Sequence, residues 1–185
     1  MAKIHPGATL TPHFRDFLPP WIARQPWYPG TQIPTISAVG FLRLEDPAGE
    51  VGMEIHLVTD GSRVLQLPLT YRGAPLDGGA LVATAEHSVL GTRWIYDAET
   101  DPVWTTELLR LVRANDVFDE SRMRGATEAR GHRIHDFADA EVRIEVVRVL
   151  NSVEPIDDPS VVGVVEATWP DGSGRLAVVR RLAQP

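Results

Sequence analysis

A chain of 185 residues, 43% hydrophobic and 23% charged, holds one domain, or one domain with an appended sheet. A chain of this size removes about 70% of its unfolded surface from water. The net charge is −7 and the acidic residues are scattered, which argues against nucleic acid or an anionic membrane as the main partner.

Two absences narrow the chemistry. There is no cysteine, so disulfides, thiol nucleophiles and cysteine–zinc sites are excluded together. The only lysine is Lys3, beside a terminus expected to fray, so Schiff-base chemistry and the phosphate-gripping lysine of kinases and P-loops lack an ordered residue. The start MAKIHPGATL has no signal-peptide pattern and no apolar run approaches the length of a membrane span, so a soluble, cytoplasmic protein is expected.

Thr11-Pro12 reads as a helix cap followed by proline at the first helical position. Phe14, Phe17, Leu18 and Trp21 follow at helical spacing, and Pro19-Pro20 should interrupt that helix. The expectation is a short helix over 12–18 and a separate turn through 21–25. Residues 20–30 concentrate Trp21, Trp27 and Tyr28 before a Pro-Gly turn, a density suited to a plug over a core.

Three strands come next, over 36–45, 51–59 and 64–71. In the second, Val51, Met53, Ile55 and Leu57 point one way and Gly52, Glu54 and His56 the other. Asp60-Gly61 marks a hairpin. In the third, Leu65, Leu67, Leu69 and Tyr71 alternate, and Pro68 suggests an edge strand or a bulge. An antiparallel meander with one greasy face, covered by the Trp21/Trp27 segment, is expected. Residues 72–100 read as mostly loop with one extended piece at 94–96.

Asp101-Pro102 starts a second helix carrying Trp104, Leu108 and Leu111 and ending near Asn115. Residues 116–126 read as a polar seam, so the chain divides into 1–115, a connecting loop, and a four-stranded antiparallel extension over 127–185 within one compact domain. The strand candidates there are 127–137, 141–150, 161–169 and 175–182. Apolar parity changes between Val146 and Val147, as at a bulge, and residues 169–174 form a hairpin turn. Arg122, Arg124, Arg130 and Arg133 alternate with Glu120, Glu128 and Asp136, which reads as an ion-paired, solvated face.

No catalytic signature emerges. His132 and His135 fall on opposite faces of an extended segment and could not chelate one ion. Glu86-His87-Ser88 lacks a nucleophile elbow around it and reads as loop capping, and Asp157-Asp158 before Pro159 reads as a solvated turn. Neither a G-x-G-x-x-G loop nor a Walker A spacing occurs. No metal and no cofactor are expected. Glu54 and His56 share the polar face of a strand and could meet a ligand in a concavity, though a surface pair also accounts for them. Trp27, Trp94 and Trp104 could line a sugar- or lipid-binding hollow, with core packing as the plainer alternative.

Taken together, Trp21-Ile-Ala-Arg-Gln-Pro-Trp27-Tyr-Pro-Gly30, Gln66-Leu-Pro-Leu-Thr-Tyr71, Trp94-Ile-Tyr-Asp97 and Asp101-Pro102 resemble the N-terminal cap subdomain of actinobacterial maltokinases. The resemblance covers roughly residues 14–115. Where the family motif has R-W-F-x-G-K-G, this chain has Pro26-Trp27-Tyr28-Pro29-Gly30-Thr31, so the basic positions are lost. A faint likeness of 161–182 to the first hairpin of a kinase ATP lobe lacks the lysine. The resemblance implies an α+β fold, a curved antiparallel sheet packed by a few helices and cystatin-like in its first half, and a cap without its kinase. The function it implies is a non-catalytic module binding a partner enzyme of maltose, trehalose or α-glucan metabolism. The alternative is a sugar- or lipid-binding protein with a Trp-lined hollow, and a hydrolase using His87 or His135 has the least support.

Overall fold

The structure, a computed structural model, describes residues 5, 7–119, 127–138, 140–150 and 155–182. Two antiparallel sheets and two α-helices make an α+β fold, with the first sheet curled into a half-barrel. The first sheet has the order β1-β5-β6-β4-β3-β2. Its strands are β1 (Leu10–Thr11), β2 (Ser37–Leu44), β3 (Gly52–Thr59), β4 (Val64–Arg72), β5 (Leu81–His87) and β6 (Gly91–Asp97).

The register between β3 and β4 decides what each face of this sheet does. Ile55 pairs with Pro68, Leu57 with Gln66 and His56 with Leu67. Directly paired residues of an antiparallel ladder point to the same face. Met53, Ile55 and Leu57 therefore face one way with Gln66 and Thr70, while Leu65, Leu67, Leu69 and Tyr71 face the other way with Glu54, His56 and Val58. The two apolar runs lie on opposite faces, so the meander is greasy on both sides. This corrects the expectation of one greasy face under a single plug.

Each face has its own cover. Over the β4 face lies α1 (Phe14–Ile22), burying Phe17, Leu18, Trp21 and Ile22 against Leu65, Leu67, Leu69 and Ile95. Its N-cap is His13, not Thr11: the His13 ring accepts from the Arg15 N–H and the Asp16 carboxylate accepts from the His13 N–H. Thr11 instead pairs with Glu86. Pro19 and Pro20 sit inside this helix and do not interrupt it. A proline in a helix interior costs about 3 kcal/mol, and four buried apolar side chains at about 1.5–3 kcal/mol each offset that.

Pro68 lies neither at an edge nor at a bulge. β4 has neighbours on both sides, and its ladder with β3 runs without a register shift. The missing donor is absorbed on the far side. There the Gln66 N–H bonds the Arg148 carbonyl, and β6 takes over pairing only from Leu69. Residues 72–100 are not mostly loop, since β5 and β6 form a hairpin within them. β5 alternates small residues such as Ala83 and Ala85, so its buried face carries little apolar signal.

The opposite face meets α2 (Pro102–Ala114) and the second sheet. That sheet has the order β7-β8-β11-β12-β9, built from β7 (Val117–Asp119), β8 (Glu128–Arg133), β9 (Val142–Val146), β11 (Val161–Trp169) and β12 (Gly172–Arg181). Part of the expected seam is thus the strand β7, while residues 120–126, with Arg122 and Arg124, lie outside the described residues, as does Lys3. Trp104, Leu108 and Leu111 pack between Met53, Ile55 and Leu57 on one side and Val162, Val165 and Leu176 on the other. The parity change after Val146 is a change of sheet. β9 pairs with β12, and after two intervening residues β10 (Val149–Leu150) pairs with β4.

Polar ties fix these layers. Asp101, fully buried, caps α2 through the Val103 N–H and takes a two-pronged bond from Arg72 at 2.7 Å for each contact. Burial opposes its charge, but the Arg72 hydrogen bond leads the groups that hold its carboxyl below the usual range. Arg148, 7% exposed, binds both Asp97 oxygens at 2.7 and 2.8 Å and Glu99 at 2.7 Å.

Close approach of α2 to the second sheet depends on glycine. A Cβ on Gly131 would lie 2.6 Å from the Leu111 carbonyl carbon, and one on Gly163 would run into Val112 Cγ1. Gly131→Ala should therefore lower stability by about 1–3 kcal/mol, the usual cost of overpacking, as measured by urea unfolding.

Acid should also weaken the fold through the β3–β4 turn. Asp60 accepts from the Ser62 and Arg63 N–H groups, and these bonds outweigh burial to hold its carboxyl at about 2. A depressed folded-state pKa gives stability that is present above the unfolded value of 3.8 and lost as pH falls through about 2. The stability gap between the wild type and Asp60→Asn should be constant above about pH 5 and close toward pH 2 in chemical denaturation.

Candidate functional site

The β4 face of the first sheet is longer than α1 can cover. Beyond the N-terminus of the helix, β2, β3, β4 and β6 leave an open groove of about 1120 Å³. Ligand pockets commonly occupy about 300–1,000 Å³, so the space suits a small molecule.

At the centre of the groove stands His56. Its Nε2 lies 3.1 Å from Glu54 Oε2 and 3.2 Å from the Tyr71 hydroxyl. An ionised carboxylate only accepts, so Nε2 carries the proton and donates to Glu54. Strand alternation puts Glu54 and His56 on one face, and the β3–β4 register brings Tyr71 beside them. Phe14 from α1 and Phe41 from β2 flank the imidazole at ring-centre distances of 4.8 and 5.2 Å. Arg43 stands 3.7 Å from the other Glu54 oxygen.

The electrostatics follow from this packing. Burial acts to raise the Glu54 pKa. The His56 hydrogen bond and charge, the Tyr71 hydrogen bond and Arg43 together outweigh it and hold the carboxyl below its ordinary value. Tyr71 goes the other way: burial first, then the Glu54 charge, push its phenol well above its ordinary value. At neutral pH the pair is a fixed carboxylate beside a fixed phenol.

A second polar cluster closes the far end. His87 ends β5, and its Nδ1 accepts from the Val89 and Leu90 N–H groups at 3.2 Å each, which shapes the β5–β6 turn. The His5 ring stands edge-on to it at 5.9 Å. Arg93 from β6 donates through Nη2 to the Leu90 carbonyl. Burial, then the nearby His5 and Arg93, lower the His87 pKa.

Of the residues singled out in the sequence, Glu54 and His56 line the groove together, while Trp27, Trp94 and Trp104 are not among its lining residues. Trp104 is 1% exposed in the core between the sheets. Trp27 packs on Trp21 and lies over the Arg148 guanidinium, 5.5 Å from it. Trp94, half-buried, pairs with Arg72 and so faces away from Tyr71. His132 lies on β8 in the second sheet, and no group of three His, Asp or Glu able to hold a metal ion occurs among the described residues.

Sequence reading missed Tyr71, Phe14, Phe41, Arg43, Arg93 and the grouping of His5 with His87. Tyr71 was legible as the last member of an alternating run, but assigning it to the Glu54 face requires the register. Ser88 and Glu86 have structural partners: the Ser88 Oγ accepts from the Thr9 N–H and Glu86 from the Thr92 hydroxyl.

No curated protein matches this chain. The family model described as the maltokinase N-terminal cap domain does, over residues 21–101. That span runs from the end of α1 through β6 to the Asp101 cap of α2 and contains Glu54, His56 and Tyr71. Residues 21–101 are thus similar to the maltokinase N-terminal cap domain, and this span shares a core with the second sheet.

Proposed function

We propose that this maltokinase-cap-related module binds a small sugar in the groove beside α1 and does not convert it. The observation that carries this reading is the His56–Glu54–Tyr71 set held between Phe14 and Phe41 in an open hollow. A sugar ring offers apolar C–H faces and a rim of hydroxyls. It matches aromatic walls with a few fixed donors and acceptors between them. A lipid chain would cover Glu54, His56 and Arg43 with nothing that donates or accepts, so the capacity they do not use on one another is lost at roughly 1–3 kcal/mol per group.

Binding rather than catalysis is favoured by the protonation states. A general acid or base works best with a pKa near the working pH. Glu54 lies below its ordinary value and Tyr71 well above its own, so neither is poised to exchange a proton near neutrality.

A second reading, docking on a partner enzyme of maltose, trehalose or α-glucan metabolism, draws support from Val89 and Leu90. Leu90, 46% exposed, lines the groove, and its neighbour Val89 is 59% exposed. Calorimetric titration with glucose, maltose and trehalose separates the two. At least one sugar should bind and raise the melting temperature, since a ligand of the native state stabilises it by mass action. Tyr71→Phe should weaken that binding several-fold, about 1 kcal/mol for one hydrogen-bonding group, with the far-UV spectrum unchanged. If no sugar binds and a native pull-down returns such an enzyme, the partner reading replaces the sugar reading.

A further inference from the structure

We infer that the His5–His87–Arg93 end of the groove is an anion subsite, so that the ligand is a sugar bearing an oxyanion group. The inference rests on the sugar reading and narrows it.

The groove and the chain as a whole differ in charge. The chain as a whole carries −7. The groove instead gathers His5, His13, Arg43, His56, His87 and Arg93 against the two carboxylates Glu50 and Glu54. Glu54 is already engaged by His56 and Arg43. At the far end His87 and Arg93 bond only backbone groups, with no carboxylate hydrogen-bonded to either. Arg93 has no ion-pair partner among the described residues. Its Nη2 bonds only a carbonyl, and its Nε is buried with no partner at all. A sheltered guanidinium left in this state is costly, and an oxyanion offers the paired acceptors that its planar fork fits.

The histidines add directed donors. His87 Nδ1 accepts two backbone N–H groups, so the ring proton of the neutral form sits on Nε2. That proton is available to an acceptor outside the turn. His5 approaches from a separate segment and reaches the same place. Two side chains of the β5–β6 hairpin and one from the start of the chain thus meet at one end of a groove whose other end offers aromatic walls and Glu54.

The test is a set of calorimetric titrations with glucose, glucose 6-phosphate, glucuronate and inorganic phosphate. Glucose 6-phosphate should bind at least tenfold more tightly than glucose, and glucuronate in between if the subsite takes a carboxylate as well as a phosphate. Arg93→Gln should cost glucose 6-phosphate tenfold or more and leave glucose within twofold. His5→Gln should cost about threefold, and it keeps the test intact should Arg93→Gln fail to fold. Equal affinity for glucose and glucose 6-phosphate overturns the subsite while leaving the sugar reading standing. Inorganic phosphate binding that Arg93→Gln abolishes, with no sugar binding, upholds the subsite and removes the sugar reading. No binding of any of the four overturns both.

Discussion

The register between β3 and β4 is the constraint on which the rest depends. Because Ile55 pairs with Pro68, the apolar run of β3 and the apolar run of β4 emerge on opposite faces. A slip of one residue would put both runs on one face and leave the other with Glu54, His56, Gln66 and Thr70. The observed pairing instead gives the sheet two cores. One is shared with α2 and the second sheet, and the other with α1. It also sets Glu54 and His56 beside Tyr71 on the surface that α1 only partly covers, which is the floor of the groove.

The two halves hold this arrangement by interlocking. The strand that leaves the second sheet after Val146 returns to pair with β4, and it delivers Arg148 into contact with Asp97 and Glu99. Breaking a buried pair of this kind by removing one partner costs about 3–5 kcal/mol. Trp27, from the aromatic segment at the start of the chain, lies over that same guanidinium. It thus packs at the joint between the halves. Asp101 serves the second joint, capping α2 and binding Arg72.

Local signals in the sequence read well where they were strong. The Asp101-Pro102 start and Asn115 end of α2, the alternation of β3 and the Asp60-Gly61 turn all stand as expected. What failed was non-local. The face shared by two strands depends on their pairing, which one strand's periodicity cannot specify. β5 escaped notice because Ala83 and Ala85 leave room for α1 and supply little hydrophobic contrast. Pro19 and Pro20 misled because propensity was outweighed by burial on α1. Of the candidate site, only the Glu54–His56 pair was legible. Arg93 and His87 share the β5–β6 hairpin, which the sequence did not reveal, and only folding brings His5 to them.

The six histidines provide an internal control for the central claim that the α1-face groove is the ligand site. His5, His13, His56 and His87 line it, while His132 sits on the second sheet and His135 just beyond the end of the same strand. Side-chain NMR of the imidazoles during a titration with glucose 6-phosphate reads all of them at once. The account predicts that His56 and His87 shift saturably with one dissociation constant while His132 and His135 stay in place. Shifts confined to His132 and His135, or no shift at His56 and His87 at saturation, would contradict it.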